Sequence, residues 1–290
     1  MLPSELIKKV RKIEIKTRRI VDEITGGAYH SVFKGRGIEF DEVREYTLSD
    51  DVRDIDWNVT ARMGTAYIKK YVEERELNVM LLVDVSASGA FGSGDSSKKE
   101  QAVEMAALLA FSAIRNNDRV GLLMFTDRTE LYLPPRSGRS HGLRLIRELL
   151  AFEPEHKGTD INAALKDMVQ ALKKKAVIFL VSDLIEDDDF EKSLKIANRR
   201  HDVISVRILD PLELTWPGAA GVMLEDAESG ETSFFGGGAL ARQLYHIKAG
   251  EMHERARESC RRAKVDMIDV RCGDDFVRPL ISFFRRRQGR

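Results

Sequence analysis

The chain has 290 residues, 43% hydrophobic and 32% charged, which describes a globular protein with room for one large α/β domain or a domain with an added module. Lys+Arg 47 against Asp+Glu 47 leaves no net charge, so no overall field recruits nucleic acid or a membrane surface. Two cysteines, Cys260 and Cys272, exclude a disulfide framework and lack zinc spacing, and no apolar run reaches the roughly 18–20 residues of a membrane span. With a charged start unlike a secretory signal, a reducing cytoplasmic setting without membrane insertion is expected.

Residues 4–24 carry Leu6, Ile7, Val10, Ile13, Ile20, Val21 and Ile24 at helical spacing between basic residues, and Gly26–Gly27 ends that helix. Residues 28–65 are charged and short of apolar runs, which predicts irregular structure or short strands before a strand at Tyr67–Val72. From residue 78 the pattern alternates. Strand 78–84 precedes helix 98–115, strand 120–125 and a short strand at 130–133, the last two close enough to form an antiparallel hairpin at a sheet edge. Helices at 140–151 and 161–173, an apolar strand at 176–181, helix 188–200 and strand 202–209 follow. A hairpin at 221–235, helix 239–264 and strand 265–270 complete the series. Apolar strands alternating with helices predict a doubly wound, mainly parallel α/β sheet covered on both faces. Three regions emerge: an N-terminal accessory segment at 1–76, an α/β core at 77–210 and an extension packing on it at 211–290. The basic runs at 8–12 and 285–290 read as solvated helix face or tail.

The chemistry concentrates at the end of strand 78–84. Asp84, Ser86 and Ser88 fall at alternate positions, and alternate residues of an extended segment point the same way. One carboxylate and two hydroxyls are hard oxygens, suited to Mg²⁺, Ca²⁺ or Mn²⁺ rather than zinc or copper. The same residue types also make turns and helix caps. Two further loops favour the metal reading: Thr159 stands just before a helix, and Asp183 follows the apolar strand at 176–181, so both lie where loops converge beyond an open parallel sheet.

Asp84-x-Ser86-x-Ser88, then Thr159, then Asp183, resembles the metal-ion-dependent adhesion site of von Willebrand factor A domains. That resemblance implies a doubly wound sheet with one antiparallel edge strand and a metal, Mg²⁺ or alternatively Mn²⁺ or Ca²⁺, used for protein recognition rather than catalysis. A second block is similar to the N-terminal signature of domain-of-unknown-function family 58: Gly27-Ala-Tyr29-His30-Ser31, Gly35-Arg-Gly37-Ile-Glu39-Phe40, Arg44-Glu-Tyr46, Asp50-Asp51-Val-Arg53-Asp-Ile55-Asp56-Trp57 and Ala61-Arg62. With Glu74–Arg75 it extends the resemblance over residues 27–210. Ser49 stands where that family usually has Gly, and Gly89 where Met is frequent; neither is a metal ligand. The resemblance implies a non-enzymatic adaptor whose partner offers an Asp or Glu carboxylate, either a MoxR-type AAA+ ATPase or its client.

Within 39–62 the Asp/Arg alternation predicts a network of charge-assisted hydrogen bonds that docks this segment on the sheet, with a partner-binding surface as the alternative. Asp54-x-Asp56-x-Asn58 faintly suggests a calcium loop, but Val59 and Thr65 take the places of the required Gly and Glu. Enzyme chemistry at the same strand edge, a metal-dependent hydrolase or phosphatase, is one alternative, and a structural scaffold with a vestigial site is the other. An aspartyl-phosphate mechanism resting on Asp84 would need an acid at position 86, where Ser86 stands. Residues 92–99 fail the nucleotide-loop pattern and read as a surface turn capping the next helix. No Gly-x-Ser-x-Gly elbow surrounds Ser86 or Ser88, and the six histidines show no metal or triad spacing.

Overall fold

The computed structural model describes residues 39–47, 50–72, 76–94, 97–186, 188–216 and 221–288, together with 8, 10–15, 17 and 21. The Gly26–Gly27 helix stop, signature residues 27–38, Ser49, Glu74–Arg75, Asp187 and Arg290 lie outside the described residues. The chain divides into two units, Phe33–Leu77 and Met1–Val32 with Asn78–Arg290.

In the smaller unit β1 (Glu39–Glu45) pairs antiparallel with β2 (Tyr67–Val72), and between them lie a 3-10 turn at Val52–Asp54 and helix α1 (Trp57–Met63). Helix α1 was not expected from the charged composition. Its signal is local: Asp56 Oδ1 accepts from the N–H groups of Asn58 and Val59 (2.9 and 3.3 Å), and Gly64, at φ +78°, closes the helix. Asp56 is therefore a helix cap, not part of a calcium loop. The expected charge network includes a local fork, in which the Arg44 guanidinium donates to both oxygens of Asp50 (2.6 and 2.9 Å). Thr47 adds its N–H and hydroxyl to Asp50 Oδ2, and with Arg44 it holds the Asp50 carboxyl well below the usual range.

The larger unit is built on a six-stranded sheet: β3 (Asn78–Asp84), β4 (Arg119–Phe125), β5 (Thr129–Arg136), β6 (Val177–Ser182), β7 (Asp202–Leu209) and β10 (Asp266–Arg271), in the spatial order β10-β7-β6-β3-β4-β5. All neighbours are parallel except β5, which runs antiparallel to β4 at one edge. Pro134 and Pro135 sit in β5, where an edge strand tolerates a missing N–H donor. This is the architecture the apolar runs predicted. β10, from the region expected to pack on the core, joins the sheet beside β7.

Helices α2 (Lys98–Arg115), α3 (Arg139–Ala151), α4 (Ile161–Ala171) and α5 (Glu191–Arg200) join the strands, followed by a single turn α6 (Pro211–Leu214), α7 (Ala239–Arg262) and α8 (Val277–Gln288). Met80 and Leu82 of β3 pack with Leu165 and Met168 of α4, Leu194 of α5 and Ala256 of α7. Val79, Leu81 and Val83 alternate to the opposite face, and α2 packs across β3, β4, β6 and β7. The basic run expected as a solvated helix face or tail ends helix α8, where Arg285 and Arg286 are exposed. Leu280, Phe283 and Phe284 are buried, and Arg287 pairs with Asp202 and Asp266 rather than standing free in solvent.

Gly121 marks the tightest approach in the sheet. A Cβ there would lie 2.4 Å from Met80 Sδ and 2.8 Å from both Leu133 O and Pro135 N. Since two of those atoms are backbone, Gly121→Ala should lower unfolding stability by about 1–3 kcal/mol. An unchanged urea midpoint would contradict this.

Candidate metal centre

Strand β3 pairs with β4 on one side and β6 on the other, so the chain's winding reverses at β3. The crevice between the carboxyl ends of β3 and β6 is where an open α/β sheet places its site. Asp84 ends β3, and Asp183 follows Ser182, the last residue of β6.

After Asp84 the chain turns. Val85 N–H donates to Phe125 O (2.9 Å), and a 3-10 turn spans Ala87–Ala90. Asp84 Oδ1 accepts from Ser86 N–H (2.9 Å), while Asp84 Oδ2 accepts from the Ser182 hydroxyl across the crevice (2.8 Å). The Ser86 and Ser88 hydroxyl oxygens lie 3.0 Å apart. Strand alternation was the sequence argument for that convergence. The 3-10 turn achieves it instead, by folding Ser88 back over Ser86.

The loop of Thr159 is pinned beside this turn. Ala87 N–H donates to Lys157 O and Asp160 N–H to Thr126 O, both at 3.0 Å, while Asp160 Oδ1 caps α4 through Ala163 N–H (2.7 Å). Thr159 Oγ1 donates to Glu228 Oε1 (2.7 Å), a carboxylate from the turn between β8 (Gly221–Glu225) and β9 (Thr232–Gly236). Asp183 is buried. Its Oδ1 accepts from Ile185 N–H (3.2 Å), and its Oδ2 accepts from the Lys98 ammonium (2.7 Å), which also pairs with Glu213.

Lys98 and Glu228 are the participants that sequence reasoning missed. The cap expected around residue 97 is present, as Ser97 and Glu100 form a reciprocal capping box at the start of α2. The surface placement of residue 98 is corrected: Lys98 is 4% exposed, turned inward by Asp183 and Glu213. Burial opposes its charge, but those two carboxylates outweigh burial and hold the ammonium protonated.

Negative charge is in excess here. Burial pushes the Asp84 carboxyl up and the nearby Asp183 charge pushes it further, against the hydrogen bonds from Ser86 and Ser182. Burial likewise raises Glu228, with Asp183 adding to it, and Glu186 is pushed up to about 7 by burial and by Asp160, Asp188 and Asp84. The residues present fit a hard dication. Asp84, Ser86 and Ser88 share one turn, Asp183 lies close enough to Asp84 to perturb it, and Thr159 is held on the adjoining loop. A second acidic group, Glu130, Glu155 and His156, brings ligand atoms within 4.8 Å of one another. Glu130 Oε1 is already engaged there by Thr126 Oγ1 and by the N–H and Nδ1 of His156 (2.9, 3.1 and 3.0 Å), an internal network.

Among the described residues no helix is long and apolar enough to cross a membrane. Uncharacterized protein Rv1480 of Mycobacterium tuberculosis is 26% identical over 286 residues, covering 98% of this chain and 90% of that protein. Among solved structures, an aerotolerance-related membrane protein from Bacteroides fragilis is similar over 73% of this chain and 98% of its own, with a TM-score of 0.50 and 16% identity, which shows a shared fold. The SpRpn10 VWA domain matches over 72% of this chain and 95% of its own, at 15% identity and a TM-score of 0.39. The family model described as "Protein of unknown function DUF58" matches residues 42–255, and with most of the sequence inside that match the chain belongs to the DUF58 family.

Proposed function

We propose that this chain is a non-enzymatic, metal-dependent protein-interaction module of the cytoplasm. Asp84, Ser86, Ser88, Thr159 and Asp183 would hold Mg²⁺, with Mn²⁺ or Ca²⁺ as alternatives. The observation that carries this reading is the serine hydroxyl pair, 3.0 Å apart, set at the sheet's switch point beside Asp84, whose carboxyl feels the nearby Asp183 charge. When bound, a dication supplies a coordination place for an outside carboxylate. The chain's own residues set the rest: the Ala87–Ala90 turn aims the hydroxyls, Ser182 orients Asp84, and Lys98 orients Asp183 while balancing part of the charge. Recognition would then depend on metal and shape together, with the partner supplying an Asp or Glu. The resemblance described above makes a MoxR-type AAA+ ATPase, or a client it remodels, the partner to test.

Calorimetric titration of Mg²⁺ and Mn²⁺ tests the site. Wild type should bind one ion, and Asp84→Ala should bind it more weakly by more than the about 10–100-fold that even outer-sphere partners cost. Equal, weak binding in both would overturn the reading.

A further inference from the structure

The β8–β9 hairpin is a two-stranded sheet of its own, not hydrogen-bonded to the six-stranded one. Most of it faces solvent, with Met223 65% and Phe234 70% exposed. At its root Phe235 stacks against Trp216 (ring centroids 4.3 Å apart) and meets Tyr245 edge-on. Its turn is tightly built. Asp226 Oδ1 accepts from Glu228 N–H (3.1 Å), Ser229 N–H (2.7 Å) and the Ser229 hydroxyl (2.9 Å). Asp226 N–H donates to Glu231 O (2.8 Å), and Gly230 takes φ +73°, where a side chain would be strained.

That turn presents one side chain to the metal centre. Glu228 Oε1 takes the Thr159 hydroxyl, and Oε2 lies 3.8 Å from the position a Cβ on Gly158 would occupy, so the carboxylate lies over the Gly158–Thr159 loop. A carboxylate brought to one of the five proposed ligands by a segment 69 residues away is the chemistry assigned above to a partner. We infer that Glu228 is the resident occupant of that place: the hairpin holds a tethered carboxylate at the centre, and a partner's Asp or Glu engages the metal only by displacing it. This rests on the metal-centre reading. A carboxylate carried on the same chain competes as an intramolecular group, at an effective concentration that a free ligand has to exceed. A free carboxylate must therefore exceed that concentration to enter wild type, and need not once Glu228 is neutralised.

The test uses the full chain loaded with Mn²⁺, with water-proton relaxation reporting the waters on the ion and acetate as the probe. Glu228→Gln keeps the side chain's size and an oxygen that can accept the Thr159 hydroxyl, so it should fold as wild type does, checked by its thermal melt. It should show higher relaxivity per bound Mn²⁺, because a water replaces the lost carboxylate. Acetate should then lower that relaxivity at concentrations at least tenfold below those wild type requires. If wild type binds Mn²⁺, Asp84→Ala does not, and Glu228→Gln matches wild type in relaxivity and acetate response, the tethered occupant is overturned while the metal centre stands. If wild type and Asp84→Ala bind Mn²⁺ equally weakly, both fall together.

Discussion

Replacing Lys98 with Met lowers the stability of the metal-free protein at pH 8 by about 3–5 kcal/mol, the cost of leaving one member of a buried ion pair without its partner. The Lys98 and Asp183 side chains are 4% and 5% exposed, so water cannot take over the ammonium's role. Methionine keeps the apolar stem and removes the charge. Asp183 is then left beside Asp84, whose carboxyl already feels it, and Glu213 loses the same counter-charge. Urea denaturation in chelator measures the gap. Under the proposed function millimolar Mg²⁺ narrows it, because a dication restores positive charge to the cluster and stabilises by mass action. A gap below about 1 kcal/mol, the range of exposed pairs, would show the pair to be solvated and the argument wrong.

The second large effect is pH-dependent and belongs to Glu186. Its carboxyl is pushed up to about 7, first by burial and then by Asp160, Asp188 and Asp84, while the Ile161 N–H opposes the rise (3.2 Å to Oε2). The ordinary value is 4.5, so between pH 4.5 and about 7 the folded chain holds this proton more firmly than the unfolded chain does. Stability from this group is complete below the lower value and is lost as pH rises through the higher one. At about 1.4 kcal/mol per pKa unit the loss is at most about 3.5 kcal/mol, and partial solvation reduces it. Glu186→Gln carries no titrating proton. It should therefore match wild type near pH 4.5 and be the more stable protein at pH 8, in urea titrations with chelator present. Parallel stability profiles across that range would reject the assignment.

The strands were legible because burial on both faces favours unbroken apolar runs: Val79–Val83 and Val177–Val181 are apolar and buried throughout, while β7 buries Ser205 and Arg207 among its apolar residues. The strand-end oxygens were legible for a related reason, since Asp84 and Asp183 interrupt apolar runs where a parallel sheet opens to its loops. What stayed hidden was carried by distant partners. Lys98 looks like any helix-start lysine until Asp183 and Glu213 arrive, 85 and 115 residues later. Glu228 is an ordinary acidic turn residue except for the Thr159 hydroxyl beneath it. Helix α1 is too short for periodicity to show, so its Asp56 cap is the clearest mark. The three arginines ending α8 drew attention from Leu280, Phe283 and Phe284, which bury its other face.

The strand order also sets a timetable for synthesis. Strand β3, in the interior of the finished sheet, is made before the other five, and its β4 neighbour follows soon after across α2. Its other edge waits for β6: Asp84 and Ser182 are 98 residues apart, a delay of roughly 5–20 s at about 5–20 residues per second. For that interval an apolar strand edge stands uncovered, the condition under which nascent chains need a holding partner. The delay also orders the charges. Lys98 leaves the ribosome with α2, well ahead of Asp183, so the second carboxylate meets Asp84 only after its counter-ion has been made.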